Sequence, residues 1–159
     1  MKYSVCVDLL CLEMTPKGPV FADTTKLLEG MELAKRAGFD CVEFWDWANK
    51  DIGRLLEKQK ELGLTITSIC AKDRGTLADP STHQRALDGL RETIAVAKRF
   101  GCKTIIVTAD ELPGFGREES YKNIVEGFKM QTMLAQEEDV TLVLEPIYFP
   151  VPGFFRDSA

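Results

Sequence analysis

A glutamate at the end of a strand-like segment is the residue of this sequence best suited to do chemistry. Residues 140–146 read VTLVLEP, so a run typical of a strand ends in Glu145 and a proline. Because a long helical pattern precedes it, we expect this strand to be parallel to its predecessors and buried on both faces. A carboxylate is costly to bury there without a partner, and ligands bind at the carboxyl ends of parallel strands. Glu145 is therefore the leading catalytic candidate, with a structural ion pair as the alternative.

Further side chains are predicted to lie near the carboxyl ends of other strands. Asp8 is near the end of the first strand pattern, Thr108 ends the fourth, and Trp45 and Trp47 follow the second. Aromatic walls commonly pack on the carbon atoms of small ligands. We expect Asp8, Thr108 and Trp45 to bind substrate, while packing of the tryptophans against a neighbouring loop is the alternative.

Two other titratable residues are predicted to have structural roles. Glu43 lies within the second strand pattern, where we expect a buried salt-bridge partner. His83 is the only histidine of the chain and follows Asp79-Pro80, in the first turn of the third helical pattern. That position predicts a surface residue, which argues against a site rich in histidine ligands.

The composition is that of an ordinary globular protein. The chain has 159 residues, of which 45% are apolar and 28% charged, and its net charge is −5. This balance argues against an electrostatic grip on nucleic acid or on an anionic membrane. No run approaches the roughly 20 apolar residues that a membrane span needs, and the N-terminus does not have the pattern of a signal peptide. We therefore expect a cytoplasmic protein that binds neither nucleic acid nor membrane.

The cysteine pattern agrees with a cytoplasmic location. They are odd in number and contain no CxxC pair, and they occur at Cys6, Cys11, Cys41, Cys70 and Cys102. Most lie in or beside apolar strand-like runs, which is typical of buried free thiols in a reducing cytoplasm.

The chain repeats a strand–helix pattern along its whole length. Strands are predicted at Tyr3–Leu10, Cys41–Phe44, Thr65–Ala71, Thr104–Thr108 and Val140–Leu144, and helices at Thr24–Ala37, Lys50–Leu62, Ser81–Phe100 and Glu118–Glu138. Three helices run into a glycine turn and then a strand, with glycine suited to the left-handed cap position. The pattern is therefore α/β, (βα)4 plus a fifth strand, in a single domain covering 1–159.

Two architectures agree with this pattern. A flavodoxin-like open parallel sheet uses five strands, whereas repeats of this length would need roughly 270 residues for eight units, close to the ~250 of a TIM barrel. The open sheet requires a fifth helix and an early phosphate-binding turn, and the sequence has neither. An incomplete TIM barrel, the N-terminal part of a (βα)8 barrel, is favoured.

Five short strings carry a family resemblance: AGFDCVEFWDW (37–47), LADP (77–80), AKRFGCKTIIVTA (97–109), TLVLEP (141–146) and PGFF (152–155). They resemble the xylose-isomerase-like TIM barrel superfamily, and within it the hydroxypyruvate isomerase and sugar isomerase/epimerase group. The resemblance covers the whole chain but only the first five-eighths of such a barrel.

The resemblance implies a divalent metal, Mn²⁺ or Mg²⁺, at the carboxyl ends of the strands. Glu145 matches the glutamate that is one metal ligand and also an acid/base. The other ligands in such families come from strands six to eight, which would lie beyond Ala159, so the metal site of this chain is expected to be incomplete. The sequence also departs from the group, because Tyr148 stands where Asn is usual.

These observations predict a metal-dependent isomerase or epimerase of small sugars or hydroxy-carbonyl compounds such as hydroxypyruvate. A carboxylate would move a proton on carbon through an enediolate. The chain alone is expected to be inactive. The alternative is a non-catalytic half-barrel that binds a small molecule or self-associates as a homo-oligomer.

Overall fold

The computed structural model describes residues 3–16, 18–72, 74–109 and 115–145. Its strands are β1 Ser4–Cys6, β2 Glu13–Thr15, β3 Gly18–Val20, β4 Cys41–Phe44, β5 Thr65–Cys70, β6 Thr104–Thr108 and β7 Thr141–Glu145. Its helices are α1 Val7–Leu10, α2 Thr24–Arg36, α3 Ile52–Leu62, α4 His83–Phe100 and α5 Arg117–Glu137, with a 3₁₀ turn at Pro80–Thr82. The predicted α/β class and the alternation of strands with four long helices are confirmed.

The prediction of a long first strand was wrong. β1 ends at Cys6, and Val7–Leu10 form the short helix α1. A short apolar run does not distinguish strand from helix by periodicity. Here tertiary packing decides, because α1 lies so close to α2 that a Cβ at Gly30 would be 2.4 Å from Val7 Cγ1. Asp8 therefore lies in α1, beyond the strand.

The described residues form two compact units, and the first contains those within 1–70 and 96–103. Its strands β1, β4 and β5 are parallel, with Ser4 paired to Cys41 and Cys41 to Thr65. Phe44 is buried and meets Phe100 edge to face, with 5.7 Å between ring centroids. Helices α2 and α3 also belong to this unit, as does an antiparallel hairpin of β2 and β3.

The second unit contains the described residues within 71–95 and 104–159. Strands β6 and β7 pair in parallel over their full length, from Thr104 opposite Thr141 to Thr108 opposite Glu145. A small apolar core lies in this unit, formed by Leu77, Ala78, Ala86, Ala109 and Ile124, with Phe128 packed against it. The pairing of β6 with β7 brings two predicted site residues, Thr108 and Glu145, to the same carboxyl end of the paired strands.

The glycine turns take the left-handed conformation that the sequence predicted. The φ angles are 91° at Gly38, 62° at Gly63 and 68° at Gly101. The fourth long helix ends without glycine, and Asp139 supplies the turn with a φ of 55°. Asp tolerates this region better than most residues with a side chain.

Candidate functional site

Glu145 and Thr108 are neighbours at the carboxyl ends of paired strands. Glu145 is the last residue of β7, Thr108 is the last residue of β6, and the two are opposite each other in the register. Glu145 is half-buried and Thr108 is exposed. A carboxylate and a hydroxyl at one strand edge can together accept a proton and hydrogen-bond an oxygen atom of a small ligand.

In the first unit, Asp8 and Trp45 are also neighbours. The side chain of Asp8 is fully buried, and its Oδ2 accepts a 2.6 Å hydrogen bond from the backbone N–H of Trp45. Burial raises the pKa of Asp8 above its ordinary value, opposed by the Trp45 N–H and by the charge of Lys50. The structure therefore places two predicted substrate-binding residues in direct contact.

Lys50 is a partner of Asp8 that the sequence did not reveal. Its Nζ lies 3.7 Å from Asp8 Oδ1, and neither side chain is exposed. Nζ also donates to Asn49 Oδ1 at 3.1 Å, and the Lys50 N–H donates to the carbonyl of Trp47 at 3.2 Å. The only indication of such a partner in the sequence was indirect: a buried aspartate requires a cation or several hydrogen-bond donors.

Trp45 is half-buried and Trp47 is buried. The rings of Trp45 and Phe21 meet edge to face with centroids 5.8 Å apart, and Phe21 directly follows the β2–β3 hairpin. Trp45 therefore packs against a neighbouring loop, and its indole is incompletely covered. These contacts agree with the predicted loop packing and leave part of the ring available to a ligand.

Glu43 contacts a hydroxyl. Its Oε2 accepts a 2.7 Å hydrogen bond from Ser68 Oγ. Val42 is paired with Ile66 and Phe44 with Ile69, so β5 has one extra residue here. Such a bulge re-aims side chains and is common near active sites.

Cys6 is paired with Glu43 in the register. All five cysteines are free, as predicted, but only Cys41 and Cys102 are fully buried. Burial raises the pKa of the Cys6 thiol to about 11, and the negative charges of Glu43 and Asp8 add to the shift. The thiol is therefore protonated at neutral pH and is a poor nucleophile or metal ligand.

The prediction that His83 lies on the surface was wrong. The residue is buried, and its Nε2 donates to the carbonyl oxygen of Leu77 at 2.8 Å. Helix α5 covers it, because a Cβ at Gly127 would lie 3.1 Å from the same nitrogen. His83 lies in the first turn of its helix, as predicted, but its ring bonds back to the segment before the helix. Its contacts are structural.

The described residues do not complete a metal site. In residues 3–16, 18–72, 74–109 and 115–145, no group of three His, Cys, Asp or Glu side chains could hold a metal ion. Glu145 has the right chemistry for Mn²⁺ or Mg²⁺, which prefer carboxylate oxygen, but among these residues it is not part of such a group. Pro146, Tyr148 and the PGFF string lie outside the described residues.

No helix in the described part of the chain is both long and apolar enough to cross a membrane. A groove with a volume of about 370 Å³ lies between α2 and α3. Lys58 lies there and pairs with Glu32 and Glu61, each at 2.8 Å.

Fold and site together define an α/β protein with polar and aromatic residues at the carboxyl ends of parallel strands. Residues 31–158 match the family described as the xylose isomerase-like TIM barrel. The chain belongs to this family, which confirms the predicted barrel fold over the open-sheet alternative.

Curated relatives include an isomerase and an epimerase. The chain is 30% identical to hydroxypyruvate isomerase of Escherichia coli (strain K12), over 80% of this chain and 53% of the relative. It is 26% identical to L-ribulose-5-phosphate 3-epimerase UlaE of Escherichia coli (strain SMS-3-5 / SECEC), over 78% of this chain and 49% of that protein. The chain thus spans about half the length of the curated relatives it matches.

Solved structures share the fold. An AP endonuclease of family 2 from Brucella melitensis superposes with a TM-score of 0.73 at 20% identity, over 92% of this chain and 55% of that chain. The IolI protein, solved with a bound zinc atom, gives a TM-score of 0.63 at 17% identity, over 91% of this chain and 51% of that chain. At these identities the likeness establishes the fold alone.

Proposed function

We propose that the full-length protein is an isomerase or epimerase of small sugars or hydroxy-carbonyl compounds such as hydroxypyruvate. The observation that supports this most is the position of Glu145, the last residue of β7, opposite Thr108 at the end of β6. Both lie within the segment that matches a family whose relatives include an isomerase and an epimerase.

Glu145 is proposed as the acid/base of the reaction. Its carboxylate removes a proton from the hydroxyl-bearing carbon next to the substrate carbonyl; the C–H electron pair forms the carbon–carbon double bond, and the carbonyl electron pair moves onto its oxygen. In an isomerisation Glu145 returns the proton to the former carbonyl carbon, while the hydroxyl proton passes to the former carbonyl oxygen. In an epimerisation a second acid donates a proton to the opposite face of the first carbon, and the carbonyl re-forms. A general base of this kind contributes about 10²–10⁴-fold to the rate.

Substrate binding is assigned to Thr108, Trp45 and Asp8. The exposed hydroxyl of Thr108 can donate to a substrate oxygen atom beside Glu145. The half-buried indole of Trp45 can cover substrate carbon atoms. Asp8 is fully buried against the Trp45 backbone. Its part in substrate binding is therefore indirect, through the position of Trp45.

We also propose that the full-length protein uses Mn²⁺ or Mg²⁺, with Glu145 as one ligand. A bound divalent cation would polarise the substrate carbonyl and stabilise the enediolate. The 159-residue chain alone is proposed to be inactive, because it spans about half the length of the curated relatives it matches. Chelation with EDTA should abolish activity of the full-length protein, and Mn²⁺ should restore it.

The assay is isomerisation of hydroxypyruvate and a panel of ketoses by the full-length protein with Mn²⁺. We expect Glu145→Gln to lower kcat by about 10²–10⁴-fold. The matched control is Glu137→Gln, which removes an exposed carboxylate near the end of α5 and should leave kcat unchanged. Full activity of the Glu145→Gln protein would overturn the assigned role.

A second candidate is a non-catalytic unit that binds a small molecule or self-associates. It is supported by β7, where Val143 is 44% and Leu144 is 39% exposed. Apolar strand residues of this kind are normally covered. Sedimentation velocity of the chain discriminates, because a stable monodisperse monomer would count against this candidate.

A further inference from the structure

Asp8 and Lys50 form a buried ion pair that the proposed proton transfer does not use. Both side chains are fully buried, and Asp8 Oδ1 lies 3.7 Å from Lys50 Nζ. That distance is too long for a hydrogen bond, and Asp8 Oδ1 has no hydrogen-bond partner. The geometry of the ion pair is therefore poor for stabilising the folded state.

Stability alone does not account for such a pair. Removing two charges from water is costly, and an apolar replacement of similar volume is often as stable as a buried ion pair or more so. The cost therefore indicates a constraint other than the stability of the core.

The constraint that the contacts indicate is the position of Trp45. Asp8 in α1 accepts the Trp45 backbone N–H at 2.6 Å through Oδ2 and faces Lys50 Nζ through Oδ1. The pair thus ties α1 to both ends of the segment 45–50, and the Lys50 backbone N–H closes that turn on the Trp47 carbonyl. The Trp45 ring itself meets Phe21.

We propose that the Asp8–Lys50 pair is a positioning device that holds the Trp45 indole where it can pack on a bound ligand and so helps to determine substrate fit. The indole face suits the carbon atoms of a small polyhydroxylated carbonyl compound. This inference rests on the proposed function for its ligand, but its structural half is independent of any activity.

The structural half is tested by the fluorescence of Trp45. The chain has two tryptophans, so Trp47→Phe leaves Trp45 as the single reporter. In that background we expect Lys50→Met to shift the emission of Trp45 to longer wavelength and to increase its quenching by acrylamide. The control is Lys58→Met, which removes a lysine from ion pairs between α2 and α3 and should change neither property.

Lys50→Met leaves a buried carboxylate unpaired and can unfold the protein, so the Asp8→Asn/Lys50→Met double variant is measured beside it. The double variant removes both charges and keeps an oxygen that can accept the Trp45 N–H. We expect it to fold, as judged by circular dichroism, and still to show increased quenching. Emission and quenching equal to those of the Trp47→Phe parent would overturn the proposal.

The ligand half is tested by steady-state kinetics in the full-length protein. We expect the double variant to raise KM for its best ketose substrate about tenfold with little change in kcat, a loss of binding worth about 1.4 kcal/mol. An unchanged KM would show that the pair does not govern substrate fit. A wild-type protein that turns over no substrate would instead contradict the proposed function, while the fluorescence result would still decide the position of Trp45.

Discussion

Burial of Asp8 makes the stability of the fold depend on pH. The charged or titratable side chains that act with it are Lys50, Asp46, Cys6 and Cys11. Because burial raises its pKa in the folded state, the folded protein holds the proton at pH values where the unfolded chain has lost it. Its stabilising contribution is therefore complete below the ordinary pKa of 3.8 and declines as the pH rises through the folded pKa.

We predict that Asp8→Asn removes this decline. Urea unfolding of wild type and variant from about pH 3.5 to about pH 7 measures it. The free energy of unfolding of the variant, relative to wild type, should rise across the acidic part of that range. If the free energies of unfolding of the two proteins changed with pH in parallel, the assigned cost of burying the Asp8 carboxylate would be contradicted.

Cys6 gives a second prediction at the level of a residue. Its pKa is raised from 9.0 to about 11, which leaves ~100-fold less thiolate at a given pH. We therefore expect iodoacetamide to alkylate Cys6 much more slowly than free cysteine at pH values near 8. Peptide mapping by mass spectrometry measures the rate, and labelling as fast as that of free cysteine would contradict the burial.

The sequence predicted the positions of some of these residues and not of others. The strand pattern before Glu145 and the end of the strand at Thr108 predicted positions that the register then placed side by side. Lys50 could not be predicted, because its contact with Asp8 joins residues 42 positions apart through the fold. His83 was misplaced because its burial depends on Leu77 and on a helix much later in the chain.

At the level of elements, local patterns predicted most boundaries. Helix α2 begins where Asp23 accepts the Lys26 N–H, and α3 begins where Asp51 accepts the Arg54 N–H. Such caps and the glycine turns depend on neighbouring residues and can be found in sequence. The end of β1 could not, since α1 forms against α2 at Gly30.

We predict that Gly30→Ala destabilises the protein by about 1–3 kcal/mol through overpacking. The new Cβ would lie 2.4 Å from Val7 Cγ1 and 2.9 Å from Cys11 Sγ, so α1 or α2 must move. Gly116→Ala is the control, because nothing lies within 4 Å of a Cβ there. Equal thermal midpoints for wild type and Gly30→Ala would contradict the close approach.

For the whole molecule, family membership establishes the barrel fold, and the chain spans about half the length of the curated relatives it matches. The single-domain organisation stays a prediction. The exposed Val143 and Leu144 predict that β7 has an apolar surface available for association.

We expect Val143→Lys to reduce any self-association of the 159-residue chain. A charged side chain on an exposed strand opposes strand-to-strand contact. Sedimentation velocity at several concentrations measures the effect, with Glu137→Lys as a control on α5. Association that persists unchanged in the Val143→Lys chain would place the contact elsewhere.

The central claim is that the full-length protein moves a proton on the carbon next to a carbonyl through Glu145. The most direct test follows deuterium incorporation at that carbon of hydroxypyruvate or a ketose by NMR, in D₂O with Mn²⁺ present. We predict enzyme-dependent incorporation with wild type and Glu137→Gln, and incorporation no faster than the uncatalysed rate with Glu145→Gln. Incorporation by Glu145→Gln at the wild-type rate, or none with wild type on any substrate of the panel, would contradict the claim.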